Sequence, residues 1–448
     1  MKKQEAEGMA GEIMSAQFMS QSAGPDQWVE QINKYYAVTE RGNNVVILHE
    51  TGAGPQFLPL RDFCLLLQNA VVVINGKTTP VVPLWLQSAE RRQYTAVVFE
   101  PGGCAPDQYN LWKGLRGVEP QEGEWPLIGD HLFKVIAGGD ALSHDYLVKW
   151  LAHMVQRPGE KPGVAMALCG KKGTGKGVFV SSIVGGLMAD DLRVQVDKPE
   201  HLTGRFNKHL QAKLLIFADE AFFAGDRSVV GALNGIITER NQILEAKGQD
   251  AITVKSCCRL ILATNEEWVV RASRDERRFF MLRVSDGHMQ DRAYFTNLLN
   301  SLTSELPGFL HHLLNVDLTG FDPFNCPKTS VLDDQVELSR DTFQQWADQL
   351  KTDGKFSFNR NGLGQEVLID LSDPTKLMAV CSDVHQSYRE FATMLRELRP
   401  LGPSPFGVRV TNHWEGKVKR VRRRQGKDEE WVYDFSRLQS GPTEGELP

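Results

Sequence analysis

The run Gly170-Lys171-Lys172-Gly173-Thr174-Gly175-Lys176-Gly177 is where residue types and spacing specify chemistry most clearly. It directly follows the apolar stretch Val164 to Leu168 and precedes a stretch of helical character, Val178 to Met188. Between a strand and a helix, glycines at these offsets let the backbone turn tightly, so that successive N–H groups face one point. The helix N-terminus adds positive dipole character there, and Lys176 adds a full charge. That combination suits the phosphates of a nucleoside triphosphate. Gly170, Gly173, Thr174, Gly175 and Gly177 would form the cradle, and Lys176 would reach the β- and γ-phosphates. A Gly/Lys-rich surface turn is the competing reading. The position after the lysine normally carries a Ser or Thr hydroxyl that holds Mg²⁺, and here it is Gly177. Either the metal relies on acidic residues and water, or turnover is weak.

Lys213-Leu214-Leu215-Ile216-Phe217-Ala218-Asp219-Glu220 is a second strand-like run, ending in two carboxylates about forty residues after Lys176. In a P-loop enzyme such a strand lies beside the first and delivers Asp219 to Mg²⁺, with Glu220 placed to orient and deprotonate the attacking water. Acids that merely end a strand are the plainer alternative. A third apolar run, Arg259 to Ala263, ends in Thr264-Asn265. Asn265 is placed to position the lytic water or touch the γ-phosphate; otherwise it is a turn residue ahead of Glu266-Glu267. Arg277 and Arg278 open the next run. An arginine there could cross a subunit interface and stabilise charge on the transferred phosphoryl group. A solvated charge cluster competes, and spacing does not choose between the two arginines.

These residues need elements to hold them. Val164 to Leu168, Leu214 to Ala218, Leu260 to Ala263 and Phe279 to Val284 alternate with helical or polar stretches. Apolar runs of this kind read as strands covered on both faces, as in α/β sheets. Ahead of them Ser143 is expected to cap a helix with Tyr146, Leu147, Trp150, Leu151 and Met154 at helical spacing, ending before Pro158. From Trp28 to about Ile136, short β-type runs such as Val45 to Leu48 and Ala70 to Ile74 alternate with turns, which suggests a mixed α+β domain without a catalytic pattern. Residues 1 to about 25 read as a loose leader. After Leu314 comes a Pro-containing connector, then helices and a basic stretch, Lys417 to Lys427, between Trp414 and Trp431. The helical stretch Asp383 to Leu398 and the alternation in the basic run suit a small winged-helix module whose wing carries Lys419, Arg422 and Arg423 toward DNA. A solubilising basic face competes.

The whole chain sets further bounds. With 448 residues, more than one core is expected. Net charge is −5, so nucleic acid would be met through a local patch or channel. Seven cysteines are scattered without metal spacing, which argues against a complete disulfide framework. No apolar run suits a membrane helix, and no signal peptide is seen, so a cytoplasmic setting is expected (that of a bacterial host if the source is a phage).

The phosphate loop, Asp-Glu strand, hairpin, Asn-ending strand and Arg-Arg occur in that order within about 110 residues. The set resembles the superfamily 3 helicases, AAA+ ring motors, and within them the poxvirus- and phage-type primase-helicase group, some of whose phage branches place Gly after the loop lysine. Residues 140 to 290 carry the resemblance best. It implies ATP and Mg²⁺ as cofactors, a homo-hexamer, single-stranded or forked DNA as substrate, and replication partners such as a primase or polymerase. It also implies a DNA-contacting hairpin, which falls on Ile243 to Lys255. Two alternating runs there flank a turn at Gly248 and would present Lys247 and Lys255 to phosphates. An ordinary surface hairpin is the alternative.

The expectation is therefore three parts: an N-terminal mixed domain at 1–137, an α/β AAA+ P-loop NTPase motor at 138–315, and a helical, basic accessory region at 316–448. The expected function is an ATP-dependent DNA helicase. Two rivals remain: a nucleotide-gated DNA-binding initiator or assembly switch without unwinding, and an AAA+ regulator of a protein partner.

Overall fold

A computed structural model describes residues 25–438 apart from 43, 53, 75, 206, 221–226, 246–250, 267–275, 340, 360–364, 396, 398–399 and 426–427. The chain divides into two compact units, Met1–Gln335 and Val336–Pro448.

The first unit begins with α1 (Pro25–Tyr35) and an antiparallel meander, β1 (Tyr36–Arg41), β2 (Asn44–Thr51) and β3 (Gly54–Leu58). There follow α2 (Leu60–Leu66), the hairpin β4 (Val71–Ile74) with β5 (Lys77–Pro80), and α3 (Val81–Gln87). β6 (Gln93–Tyr94) adds to β1, and β7 (Ala96–Val98) pairs with β8 (Gln108–Asn110). Trp28, Ile32, Phe63 and Trp85 fill a core of their own. The next stretch does not stay with that core. Trp112, Leu115, Val118 and Trp125 pack on the central one, and the Leu115 carbonyl accepts from the Ala189 amide.

α4 (Pro126–Asp130) runs into a π-wound turn, His131–Ile136, ahead of α5 (Ala141–Gln156). The cap of α5 is Asp140, whose carboxylate accepts from the Ser143 amide at 2.8 Å; Ser143, expected as the cap, lies inside the helix. Five strands then make one parallel sheet: β9 (Ala165–Cys169), β10 (Arg193–Val196), β11 (Leu215–Asp219), β14 (Arg259–Thr264) and β15 (Phe279–Arg283). The hairpin β12 (Asn241–Leu244) and β13 (Ile252–Lys255) stands outside it. Around the sheet lie α6 (Val178–Val184, π-wound), α7 (Pro199–Thr203), α8 (Arg227–Thr238) and α9 (Arg292–Asn315). Met166, Leu168, Leu215, Phe217, Ile261 and Phe280 join Trp150, Leu151 and Phe309 in the central core, as expected of strands covered on both faces.

The sheet order is β10-β11-β14-β9-β15. Sequence spacing set the Asp219 strand directly beside the loop strand; instead β14 lies between them. The edge strand β10 has no apolar run to announce it. Its Arg-Val-Gln-Val buries only Val196, because an edge strand needs one covered face.

The chain remains with the first unit past residue 315. Phe321 packs on the central core, and the Thr329 hydroxyl donates to the Met281 carbonyl at 2.7 Å. α10 (Ser330–Leu338) leads into the second unit. That unit comprises α11 (Thr342–Asp353), the hairpin β16 (Lys355–Asn359) with β17 (Gln365–Asp370), β18 (Met378–Val380), α12 (Cys381–Met394), α13 (Pro403–His413), β19 (Lys419–Gln425) and β20 (Asp428–Asp434). β18, β20 and β19 form an antiparallel sheet in that order. Trp346 stacks on Phe356 with ring centroids 4.2 Å apart in the middle of this core. The basic run is thus a sheet hairpin, as its alternation suggested. No helix among the described residues is long and apolar enough to cross a membrane.

Candidate functional site

Because the five strands are parallel, β9, β14 and β11 end on the same edge, and a crevice outside that edge gathers the residues that follow them. After β9 comes the glycine loop. Gly173 and Gly175 have φ of 81° and 98°, a region that glycine enters without strain. A Cβ on Gly175 would lie 2.7 Å from the His131 ring and 2.8 Å from Phe295, so the loop also needs glycine there for space. Thr174 is buried and donates to the Lys171 carbonyl at 2.9 Å. Gly177 is in the right-handed helical region, and a Cβ on it would meet nothing within 4 Å.

Lys176 is folded back over its own loop. Its Nζ donates to the Gly170 and Lys171 carbonyls at 2.6 and 2.8 Å and to Asn265 Oδ1 at 2.9 Å. The Nδ2 of Asn265 donates in turn to Glu220 at 2.7 Å. This chain of contacts follows from the strand order. β14 lies between β9 and β11, so the residue after β14 is the one that can touch both neighbours. Glu220 takes a left-handed φ of 56°, unusual for a side chain of its size, and its amide donates to the Ala263 carbonyl. Asp219 is half-buried at the end of β11 and accepts from Gln195 Nε2 at 3.0 Å.

Burial lowers the Lys176 ammonium pKa, with Asp219, Cys169 and Glu220 opposing that shift. Asp219 moves up, through burial and then repulsion from Glu220, with Lys176 opposing. Two carboxylates facing one ammonium leave net negative charge at the strand ends, an arrangement suited to a cation. Beneath the loop His131 is fully buried, and desolvation pushes its imidazole down to about 4, so the ring is neutral at physiological pH. Its Nδ1 lies 3.0 Å from the Tyr294 hydroxyl, which ties the loop's support to α9.

A cavity of about 700 Å³ is lined by the loop, Asp219, Glu220, Asn265 and, from α9 and the turn before it, Gln290, Arg292, Phe295 and Thr296. A second cavity, about 690 Å³, opens on the far side of Gly170 and Lys171. Of its cations, Lys171 and Arg283 pair with Asp286 and Asp334. Among the described residues no cluster of three or more His, Cys, Asp or Glu is arranged to hold a metal. A Mg²⁺ bound mainly through phosphate oxygens needs only one or two carboxylates.

Lys176, Asp219, Glu220 and Asn265 therefore meet, whereas Arg277 and Arg278 do not join them. Those two precede β15 and lie at the opposite edge of the sheet from the loop. Both amides donate to the Glu276 carboxylate, and Arg278 also pairs with it at 3.7 Å; the Arg277 side chain is exposed. Lys247 lies outside the described residues. Lys255, on β13, is paired with Glu100 at 2.7 Å. In the second unit Lys419 is exposed, Arg423 is held by Glu430 at 2.5 Å, and Arg422 lies 3.4 Å from Glu429 and over the Trp431 ring. Gln195, His131 and Phe295 were not singled out from the sequence. A polar residue in an edge strand, a lone histidine and one aromatic in a helix carry no pattern of their own.

The fold and crevice define a mixed α/β protein with a parallel sheet and a glycine loop at its carboxyl edge. Comparison with known proteins adds relatives. Residues 168–278 match a Family of unknown function (DUF5906). Over 257 residues the chain is 26% identical to a DNA Primase-polymerase of Nitratiruptor phage NrS-1, a match covering 56% of this chain and 35% of that protein. It thus spans about a third of that relative's length. Among solved structures the fold is similar to the apo structure of the NrS-1 C terminal region (305-718), with TM-score 0.64 and 17% identity over 92% of this chain and 99% of the other. An A form apo structure of the same region gives TM-score 0.63 and 16% identity, covering 90% and 98%. The chain is therefore related in sequence to a phage replication protein and shares its fold with that protein's C-terminal region.

Proposed function

We propose that the protein is an ATP-hydrolysing motor of the AAA+ class that acts as a DNA helicase in phage-type replication, as a homo-hexamer. The observation that carries this reading is the convergence of Lys176, Asn265, Glu220 and Asp219 at one strand edge under a glycine loop. The cavity has the volume of a nucleotide-sized ligand site. Gly173 and Gly175 keep the loop free of side chains, by left-handed backbone at both and by the closeness of His131 and Phe295 at Gly175, which suits a phosphate chain laid on the loop amides. Relatedness to a phage DNA primase-polymerase supports the replication setting.

In this mechanism the loop amides and Lys176 bind the phosphates, and Lys176 exchanges its contacts with Gly170, Lys171 and Asn265 for phosphate oxygens. Mg²⁺, when bound, supplies neutralisation of phosphate charge and is held by Asp219. Glu220 accepts the proton of the attacking water, and Asn265 holds Glu220 in place. Within one chain Arg277 is too far from the loop to act, so its role is to complete the site of a neighbouring subunit. Its exposure and lack of an ion pair among the described residues favour it over Arg278. The hairpin β12–β13 and the β19–β20 hairpin of the second unit, read as a winged-helix wing, contact DNA through phosphates, a sequence-independent and salt-sensitive mode.

The test is ATP hydrolysis by the purified protein, with and without single-stranded DNA, beside Glu220→Gln. DNA-stimulated turnover that Glu220→Gln abolishes is expected. Tight ATP binding without turnover in either condition would overturn the motor and favour a nucleotide-gated DNA-binding switch, the reading to which Gly177 points.

A further inference from the structure

Among the described residues, the carboxylate expected to hold a metal has one side-chain hydrogen-bond donor, and it comes from an unexpected strand. Gln195 of β10 is exposed, yet its Nε2 donates to Asp219 Oδ2 at 3.0 Å. The bond occupies one carboxylate oxygen and leaves the other for a cation. A neutral amide can orient the carboxylate in this way without competing as a charge, which Lys176 could not do.

The segment that carries Gln195 also reaches the hairpin. Beyond α7, Asn207 Nδ2 donates to the Ile243 carbonyl at 3.1 Å, and its Oδ1 accepts from the Glu245 amide at 2.9 Å. Arg205 Nε donates to both carboxylate oxygens of Glu245, at 2.8 and 2.9 Å. The hairpin strand β12 is thus bonded to one end of this segment, and Asp219 is bonded to the other. β10 is an edge strand, paired along one side with β11.

We propose that Gln195 is a positioning residue for Asp219, and that the segment from β10 to Asn207 makes its placement depend on the hairpin β12–β13. DNA seated on the hairpin then alters how firmly the site holds its metal. This rests on the nucleotide-site reading but not on hydrolysis, so it is tested by binding. Mn²⁺ affinity is measured by electron paramagnetic resonance on the full chain with a non-hydrolysable ATP analogue, with and without single-stranded DNA. The proteins are wild type, Gln195→Met, Asn207→Ala and the double variant, each first checked for an unchanged thermal melt.

Wild type should show a DNA-dependent Mn²⁺ affinity. Gln195→Met, near-isosteric but without the N–H, should weaken Mn²⁺ by about tenfold, the lower end for loss of a bond to a charged group, and should remove the DNA effect. Asn207→Ala should keep the affinity seen without DNA and lose only the DNA effect, and the double variant should match Gln195→Met. Unchanged Mn²⁺ affinity in Gln195→Met, or a full DNA effect in either single variant, overturns the proposal. So does a wild type whose Mn²⁺ affinity ignores DNA. Metal binding with these dependences but no ATP turnover would instead sink the motor and leave the relay standing.

Discussion

Replacing Asn265 isolates the contact on which the proposed chemistry turns. Its side chain makes two charge-assisted bonds, 2.9 Å from Lys176 and 2.7 Å to Glu220. In Asn265→Ala the lysine still has the Gly170 and Lys171 carbonyls, so phosphate binding should survive. Glu220 loses the donor that orients it. A hydrogen bond to a charged group nets ~1.5–3 kcal/mol, and Glu220 is exposed, which favours the lower end. Each ~1.4 kcal/mol is a factor of ten, so kcat should fall roughly 10- to 100-fold while nucleotide affinity changes less than about fivefold. Asn265→Asp keeps the acceptor for Lys176 but puts a carboxylate where the donor to Glu220 stood, so kcat should fall at least as far as in Asn265→Ala while nucleotide still binds. Steady-state hydrolysis and fluorescent-nucleotide titrations measure both. Wild-type kcat in both variants would refute the reasoning and leave Asn265 a turn residue.

Other substitutions probe the rest of the site. Gly177→Ser has open space and a helical backbone, so it should raise stability by ~0.5 kcal/mol in a thermal melt and lower the Mg²⁺ needed for half-maximal turnover; loss of nucleotide binding would contradict both. Arg277→Ala should reduce kcat by ~10³ or more if it completes a neighbour's site, whereas Arg278→Ala, whose guanidinium already faces Glu276, should reduce it far less; equal losses would remove the distinction. Arg259 is fully buried and donates to the carbonyls of His153, Arg157, Pro158, Glu160 and Cys257. Arg259→Met should cost roughly 3 kcal/mol in a denaturant titration by leaving such acceptors unpaired; an unchanged midpoint would count against that role.

Much of the site was legible because its parts are contiguous in sequence. The loop from Gly170 to Gly177 carries its glycines and lysine within one turn, and the strands that end in Asp219-Glu220 and Asn265 are continuous apolar runs. The hairpin pattern at Ile243 to Lys255 and the alternation from Lys417 to Lys427 were visible for the same reason, since side-chain period follows the backbone. Ion pairing was not visible. Lys255 meets Glu100 only because a strand and a loop distant in sequence are packed together, and Arg423 meets Glu430 only because the hairpin register sets them opposite each other.

The sequence by itself determined that a glycine loop follows a buried strand, that acids and an asparagine end two others, and that basic residues alternate along a late hairpin. Each is a local pattern that backbone geometry and burial impose on neighbouring residues. The tertiary structure alone decided that β14 lies between β9 and β11, so that Asn265 touches both Lys176 and Glu220. It alone brought Gln195 to Asp219 and left Arg277 at the far edge. Strand order and edge position depend on which distant segments pair, and residue periodicity carries no record of the partner.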